Sequence, residues 1–127
     1  MAVPIYEVRH IVKEFPIKQN IFEVLQRKKI KTVRAVDSVS FKIEKGETLA
    51  LVGESGCGKS TLAKTLALLY TPEQGELLFN GKNVQDKKNR SEIQAKLQMI
   101  FQDPHSSLNP VMTVRQMLYE VFRVHHL

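Results

Sequence analysis

The sequence predicts an α/β fold arranged around one central strand, and three consecutive observations carry that expectation. Thr48–Val52 is a continuous apolar run bounded by Gly46 and Gly53, the pattern of a strand covered on both faces. Gly53–Ser60 is a glycine-rich loop. Leu62, Ala63, Leu66 and Leu69 then recur at helical spacing, which marks a helix with one buried face.

The remaining elements follow in chain order. Ile5–Ile11 alternates loosely and reads as a strand, with Pro16 ending it because proline donates nothing to a ladder. Residues 17–32 are basic and irregular and read as a surface excursion. Val39, Phe41 and Ile43 alternate with Ser40, Lys42 and Glu44, giving a half-buried strand, and Glu44–Glu47 is a hairpin-type turn. After the loop and its helix, Pro72 and Gly75 close the helix off. Glu76–Phe79 is a short strand, followed by a tight turn at Asn80-Gly81. Arg90–Leu97 reads as a short helix and Gln98–Phe101 as another strand. Asp103–Pro110 holds two prolines and two serines and is a loop. Thr113-Val-Arg-Gln116 is a capping box, and Val114, Met117, Leu118, Val121 and Phe122 continue it as an amphipathic helix.

Composition narrows the class. The 127 residues are 43% hydrophobic and 25% charged, ordinary for a globular domain, and no apolar run approaches the ~20 residues that span a bilayer. Met1–Phe15 mixes charge throughout, unlike a secretory signal. The single cysteine, Cys57, makes no internal disulfide and suits a reducing cytosol. The net charge of +6 is concentrated in Arg27–Arg34 and Lys82–Arg90. Both runs read as solvated loops, with a nucleic-acid or anionic-lipid contact as the alternative, and neither interleaves the aromatics of a single-strand stacking platform.

The loop carries the chemistry. Gly53-Glu54-Ser55-Gly56-Cys57-Gly58-Lys59-Ser60 fits G-x-x-x-x-G-K-[ST], a pattern that cradles nucleotide phosphates. Glycines let backbone N–H groups turn inward around phosphate oxygens without a Cβ in the way. A helix starting near Lys59 aims its positive dipole end at the same anion. Lys59 supplies a point charge to the outer phosphates, Ser60 a hydroxyl to a metal ion, and Thr61 a hydrogen bond to an inner phosphate. The glycines are spaced G-x-x-G-x-G and no acidic ribose partner is evident, so a dinucleotide fold fits poorly. Cys57 is a space-filling residue in this loop or, alternatively, a thiol activated by the helix terminus.

Val52–Leu62, with its approach Ala35–Leu49, resembles the Walker A segment of ABC-transporter ATPases. Gly75-Glu-Leu77 and Asn80-Gly81 are similar to the strand and turn that follow in that family. Gln98-Met-Ile-Phe-Gln-Asp-Pro104 resembles the Q-loop. Ser106-Ser-Leu-Asn-Pro110, and Phe15-Pro-Ile-Lys18 with the basic insertion after it, resemble the oligopeptide/dipeptide importer branch. The resemblance covers nearly the whole chain. It implies a P-loop NTPase core with an antiparallel β subdomain and the start of a helical subdomain. The expected division is a mainly β region over 1–47, the P-loop core over 48–102, and the start of the helical subdomain over 103–127.

The same resemblance implies ATP and Mg²⁺ as cofactors. Residues 53–61 would hold the phosphates and Phe15 would stack on adenine. Gln102 would touch Mg²⁺ and the attacking water; Ser60 and Gln102 would be the metal-facing pair, and Lys59 and Gln102 the catalytic residues. An ATP hydrolase coupled to peptide uptake is implied, lying peripherally on the cytoplasmic face of the membrane. Its partners would be transmembrane permease subunits, a second ATPase subunit, identical or different, and indirectly a solute-binding protein. Nucleic acid is not expected as a partner; a soluble ABC-type ATPase of DNA repair or translation is the alternative, and Ser106–Pro110 argues against it. The family's LSGGQ signature, Asp-Glu strand end and switch histidine do not occur in these 127 residues, and His105, His125 and His126 read as surface residues. The chain therefore looks like the N-terminal part of such an ATPase, inactive in hydrolysis by itself.

Overall fold

The computed structural model describes residues 3–17, 31–103 and 108–125, with His125 described by its backbone alone. Most of the basic excursion at 17–32, the centre of the Asp103–Pro110 loop, His105 and His126 lie outside the described residues.

Alternating apolar residues build the first layer. β1 (Tyr6–Pro16) runs farther than its pattern predicts, and Pro16 is its last residue. β2 (Thr32–Ile43) lies antiparallel to it, pairing Val8 with Phe41 and Phe15 with Val33. His10 and Ser38 interrupt that ladder with positive φ angles of 48° and 49°. Ser40 Oγ accepts the His10 N–H at 2.8 Å, so the irregularity leaves that donor paired. The Glu44–Glu47 turn forms as read, with Gly46 at φ 83° and the Glu47 N–H donating to the Glu44 carbonyl at 3.1 Å.

α1 (Lys59–Leu66) follows the glycine loop. It ends one turn earlier than the apolar spacing predicts, and Leu69 is exposed. β3 (Gln74–Phe79) pairs antiparallel with the other edge of β1, and β4 (Lys82–Asn83) folds back on it through Asn80-Gly81. Both turn residues have positive φ, 47° and 75°, as a two-residue primed hairpin requires. The sheet order is β2-β1-β3-β4. Antiparallel pairing is therefore not confined to the first 47 residues.

α2 (Lys87–Gln94) starts and ends three residues before the sequence reading places it. Asp86 is its N-cap residue, without a side-chain capping bond, and Ile93 is its buried residue. α3 (Val114–His125) begins at the predicted capping box. Thr113 Oγ1 accepts the Gln116 N–H at 3.3 Å, while Gln116 Oε1 accepts the Thr113 N–H at 2.8 Å.

The core lies between the sheet and the two helices α1 and α2. Ile11 and Leu77 are 0% exposed, and Val8, Val36, Leu62, Val84 and Ile93 close around them. Tyr6 stands in the same cluster and donates its hydroxyl to the Leu66 carbonyl at 2.8 Å. Burial pushes its phenol well above the usual range. Arg90 donates to the Leu68 carbonyl at 2.9 Å, tying α2 to the segment after α1.

Two predicted strands are absent. Thr48–Val52 and Gln98–Phe101 have no ladder partner among the described residues. Val52 is 93% exposed and Ile100 94%. A strand is defined by its neighbour, because its backbone groups need a partner chain. An apolar run alone supplies none.

Candidate functional site

The glycine loop joins the end of the 48–52 segment to α1 and is anchored from below by β2. A Cβ at Gly58 would stand 2.2 Å from the Ala35 carbonyl oxygen, and its φ is 95°. Only glycine fits where the loop crosses that strand. A Cβ at Gly53 would meet Cys57 Sγ at 2.7 Å, so the exposed Cys57 side chain leaves room at that position only for glycine.

Gly58 is the N-cap of α1, and no side chain caps the helix there. No acidic residue stands in its first turn. The N-terminal backbone donors of α1 are therefore not capped by a side chain, and the helix dipole favours an anion there. Lys59 turns back over the loop: its Nζ donates to the Gly53 carbonyl at 2.7 Å and the Glu54 carbonyl at 2.6 Å, and lies 3.4 Å from Cys57 Sγ. Delivering that ammonium to a phosphate exchanges neutral carbonyl acceptors for anionic ones and so adds the attraction of opposite charges.

Ser60 and Gln102 are 42 residues apart in sequence, yet they line one cleft of about 420 Å³. Lys64, Met99 and Asp103 share its wall. The sequence reading paired Ser60 with Gln102, but overlooked Asp103 as more than a loop residue. The donor set suits a hard cation: a hydroxyl, an amide oxygen and a carboxylate. Among the described residues no cluster of three or more His, Cys, Asp or Glu could hold a metal unaided.

Phe15 is not among the residues lining this cleft. It sits half-buried on β1, edge-to-face with Tyr70 at 5.3 Å between ring centroids. Lys13 Nζ lies 5.1 Å from the Phe15 centroid and 5.9 Å from that of Tyr70, and Lys64 Nζ lies 5.8 Å from Tyr70. Tyr70, Lys13 and Lys64 carry no motif that sequence reading could have found; Tyr70 and Lys13 meet Phe15, and Lys64 meets Tyr70, only because β1 and the segment after α1 pack together. A larger concavity of about 570 Å³ runs along α3 past Met112 and Tyr119 and shares no residue with the loop.

Comparison with known proteins identifies the family. The family model described as "ABC transporter" matches residues 36–125. Oligopeptide transport ATP-binding protein AppF of Bacillus subtilis is 45% identical over 126 residues, which are 97% of this chain and 37% of that protein. OppF of the same organism is 45% identical over 130 residues, 100% of this chain and 39% of its own length. Glutathione import ATP-binding protein GsiA of Salmonella typhimurium is 42% identical over 127 residues, 98% of this chain and 20% of its own. The chain thus spans well under half the length of these relatives. Among solved structures, cbiO1 from Clostridium perfringens, part of an ABC transporter complex, superposes with a TM-score of 0.64 at 22% identity, over 93% of this chain and 42% of that one. A dimeric ATP-binding cassette bound to ADP and Pi gives 0.56 at 21%, over 70% and 34%. These two speak for the fold: a P-loop ATPase core with an antiparallel β part. With the family model covering most of its residues, the chain belongs to the ABC transporter family.

Proposed function

We propose that this chain is the nucleotide-binding part of an ATPase subunit that couples ATP hydrolysis to uptake of oligopeptides, dipeptides or related small solutes. The observation that carries the reading is the cleft in which Ser60, from the glycine loop, meets Gln102. The relatives named for oligopeptide and glutathione import give the solute class.

In this reading the backbone donors of residues 53–61 cradle the polyphosphate, and Lys59 holds its outer end. Magnesium, when bound, neutralises charge between the outer phosphates, and Ser60 and Gln102 are the residues that would hold it. Gln102 also orients the attacking water, since phosphoryl transfer asks the protein mainly for positioning and electrostatic support. Phe15 offers its ring to adenine. The regions 1–47, 48–102 and 103–127 serve as β part, P-loop core and start of a helical part. The partners are transmembrane permease subunits and a second ATPase subunit, with a solute-binding protein acting indirectly, and the protein lies on the cytoplasmic face of the membrane. Among the described residues no helix is long and apolar enough to cross it. The 127 residues hold no adjacent Asp-Glu pair to orient the water, so by themselves they bind nucleotide without turning it over.

Lys59→Ala tests the phosphate site. Titration of a folded variant with fluorescent ATP should show affinity lowered more than about tenfold, the scale of one lost charge-assisted contact; unchanged affinity removes the assignment. Gln102→Ala in the full-length protein should leave ATP binding within about twofold and uncouple hydrolysis from vesicle transport. Normal transport would end its proposed role.

A further inference from the structure

Four contacts fasten the segment after α1 to β1, all at the level of Phe15. Lys13 Nζ donates to the Thr71 carbonyl at 2.9 Å and pairs with Glu73 Oε1 at 2.6 Å. Glu73 Oε2 accepts the Glu14 N–H at 2.8 Å, and the Glu73 N–H donates to the Val12 carbonyl at 2.9 Å. The Glu73 carboxylate thus bonds both the side chain two residues before Phe15 and the backbone one residue before it. Tyr70, held in the same segment, meets the Phe15 ring edge-to-face. Lys64, whose ammonium lies over Tyr70, stands five residues along α1 from Lys59, roughly 7.5 Å at helical rise. One short helix therefore connects the phosphate end of the site to the aromatic end.

We propose that Tyr70 and Glu73 are positioning residues that lock Phe15 to the end of the P-loop helix, so that base stacking and phosphate binding are set as one rigid unit. Neither residue need touch the nucleotide. Tyr70 fixes the plane of the Phe15 ring, and Glu73 fixes the backbone that carries it. The inference rests on the base-stacking role proposed for Phe15, and the experiment separates the two.

ATP and inorganic tripolyphosphate are titrated against the full-length protein and its Phe15→Ala, Tyr70→Leu, Tyr70→Phe, Glu73→Gln and Phe15→Ala/Tyr70→Leu variants. Tyr70→Leu and Glu73→Gln should each weaken ATP about three- to tenfold, the scale of one aromatic contact. Tripolyphosphate, which has no base, should bind within about twofold of wild type. Tyr70→Phe should retain ATP affinity, because it keeps the ring. In the double variant the loss of Tyr70 should add nothing to that of Phe15, the signature of residues acting through one another. If Phe15→Ala leaves ATP affinity intact, the stacking role fails and the positioning role with it. If Phe15→Ala weakens ATP while Tyr70→Leu and Glu73→Gln do not, the positioning proposal alone is overturned. Equal losses for ATP and tripolyphosphate would also overturn it, by showing a general loss of structure.

Discussion

β1, which alternates apolar and charged residues, and the apolar segment Thr48–Val52 both carry patterns that strands are made from, and the molecule treats them in opposite ways. β1 has β2 on one side and β3 on the other, and its Ile11 is fully buried. Thr48–Val52 has no ladder among the described residues, and Val52 stands 93% exposed. Gln98–Phe101 repeats the second case. Hydrophobicity sets the demand for a partner; the partner decides whether a strand exists. The exposed pair of segments flanks the candidate site, since one leads into the glycine loop and the other into Gln102. The phosphate loop therefore draws its rigidity from β2 beneath Gly58 and from α1 behind it.

The sharpest way to break this comparison is to remove side chains from each region. In the 127-residue chain, Leu77→Ala should cost about 2–5 kcal/mol, as for other fully buried leucines. Val52→Ala should stay within about 0.5 kcal/mol, as for an exposed site. Urea denaturation followed by circular dichroism measures both. Similar costs at the two positions would mean that the 48–52 segment is covered in solution. Repeating Val52→Ala in a protein of the relatives' full length would show whether further sequence covers it.

Gly58→Ala probes the junction between the regions. A Cβ there meets the Ala35 carbonyl oxygen at 2.2 Å in a backbone conformation that L-residues avoid. The expected cost is about 1–3 kcal/mol of stability, with nucleotide affinity falling as the loop lifts from β2. Full affinity and an unchanged unfolding midpoint would show that the loop is not braced on that strand.

The smallest effect concerns acid. Burial works to raise the Glu73 carboxyl, but the Lys13 ammonium and the Glu14 N–H outweigh it and hold the group below its ordinary 4.5. A carboxyl lowered on folding adds stability that is complete above about pH 4.5 and is lost as pH falls through the lower folded value. The side chain is 41% exposed, so the contribution is under about 1 kcal/mol. The difference in stability between wild type and Glu73→Gln should shrink as pH drops below 4.5. A constant difference across that range would mean that the Lys13–Glu73 pair adds nothing.

Sequence alone determined the local features. The glycine loop with Lys59 and Ser60, the turn at Asn80-Gly81 and the capping box at Thr113–Gln116 all depend on residues within a few positions of one another. Their chemistry is complete in the residue types and spacing. The strand readings at Ile5–Ile11, Val39–Ile43 and Glu76–Phe79 held because those runs found one another. Tertiary structure decided the rest. Among the described residues it withheld ladders from Thr48–Val52 and Gln98–Phe101, placed α2 three residues earlier, and brought Gln102 and Ser60, 42 positions apart, to one cleft. It also seated Phe15 against Tyr70 and tied its neighbours Lys13 and Glu14 to Glu73, contacts separated by more than fifty residues. Pairing and packing join residues that no local spacing connects, so they exist only once the chain has closed on itself.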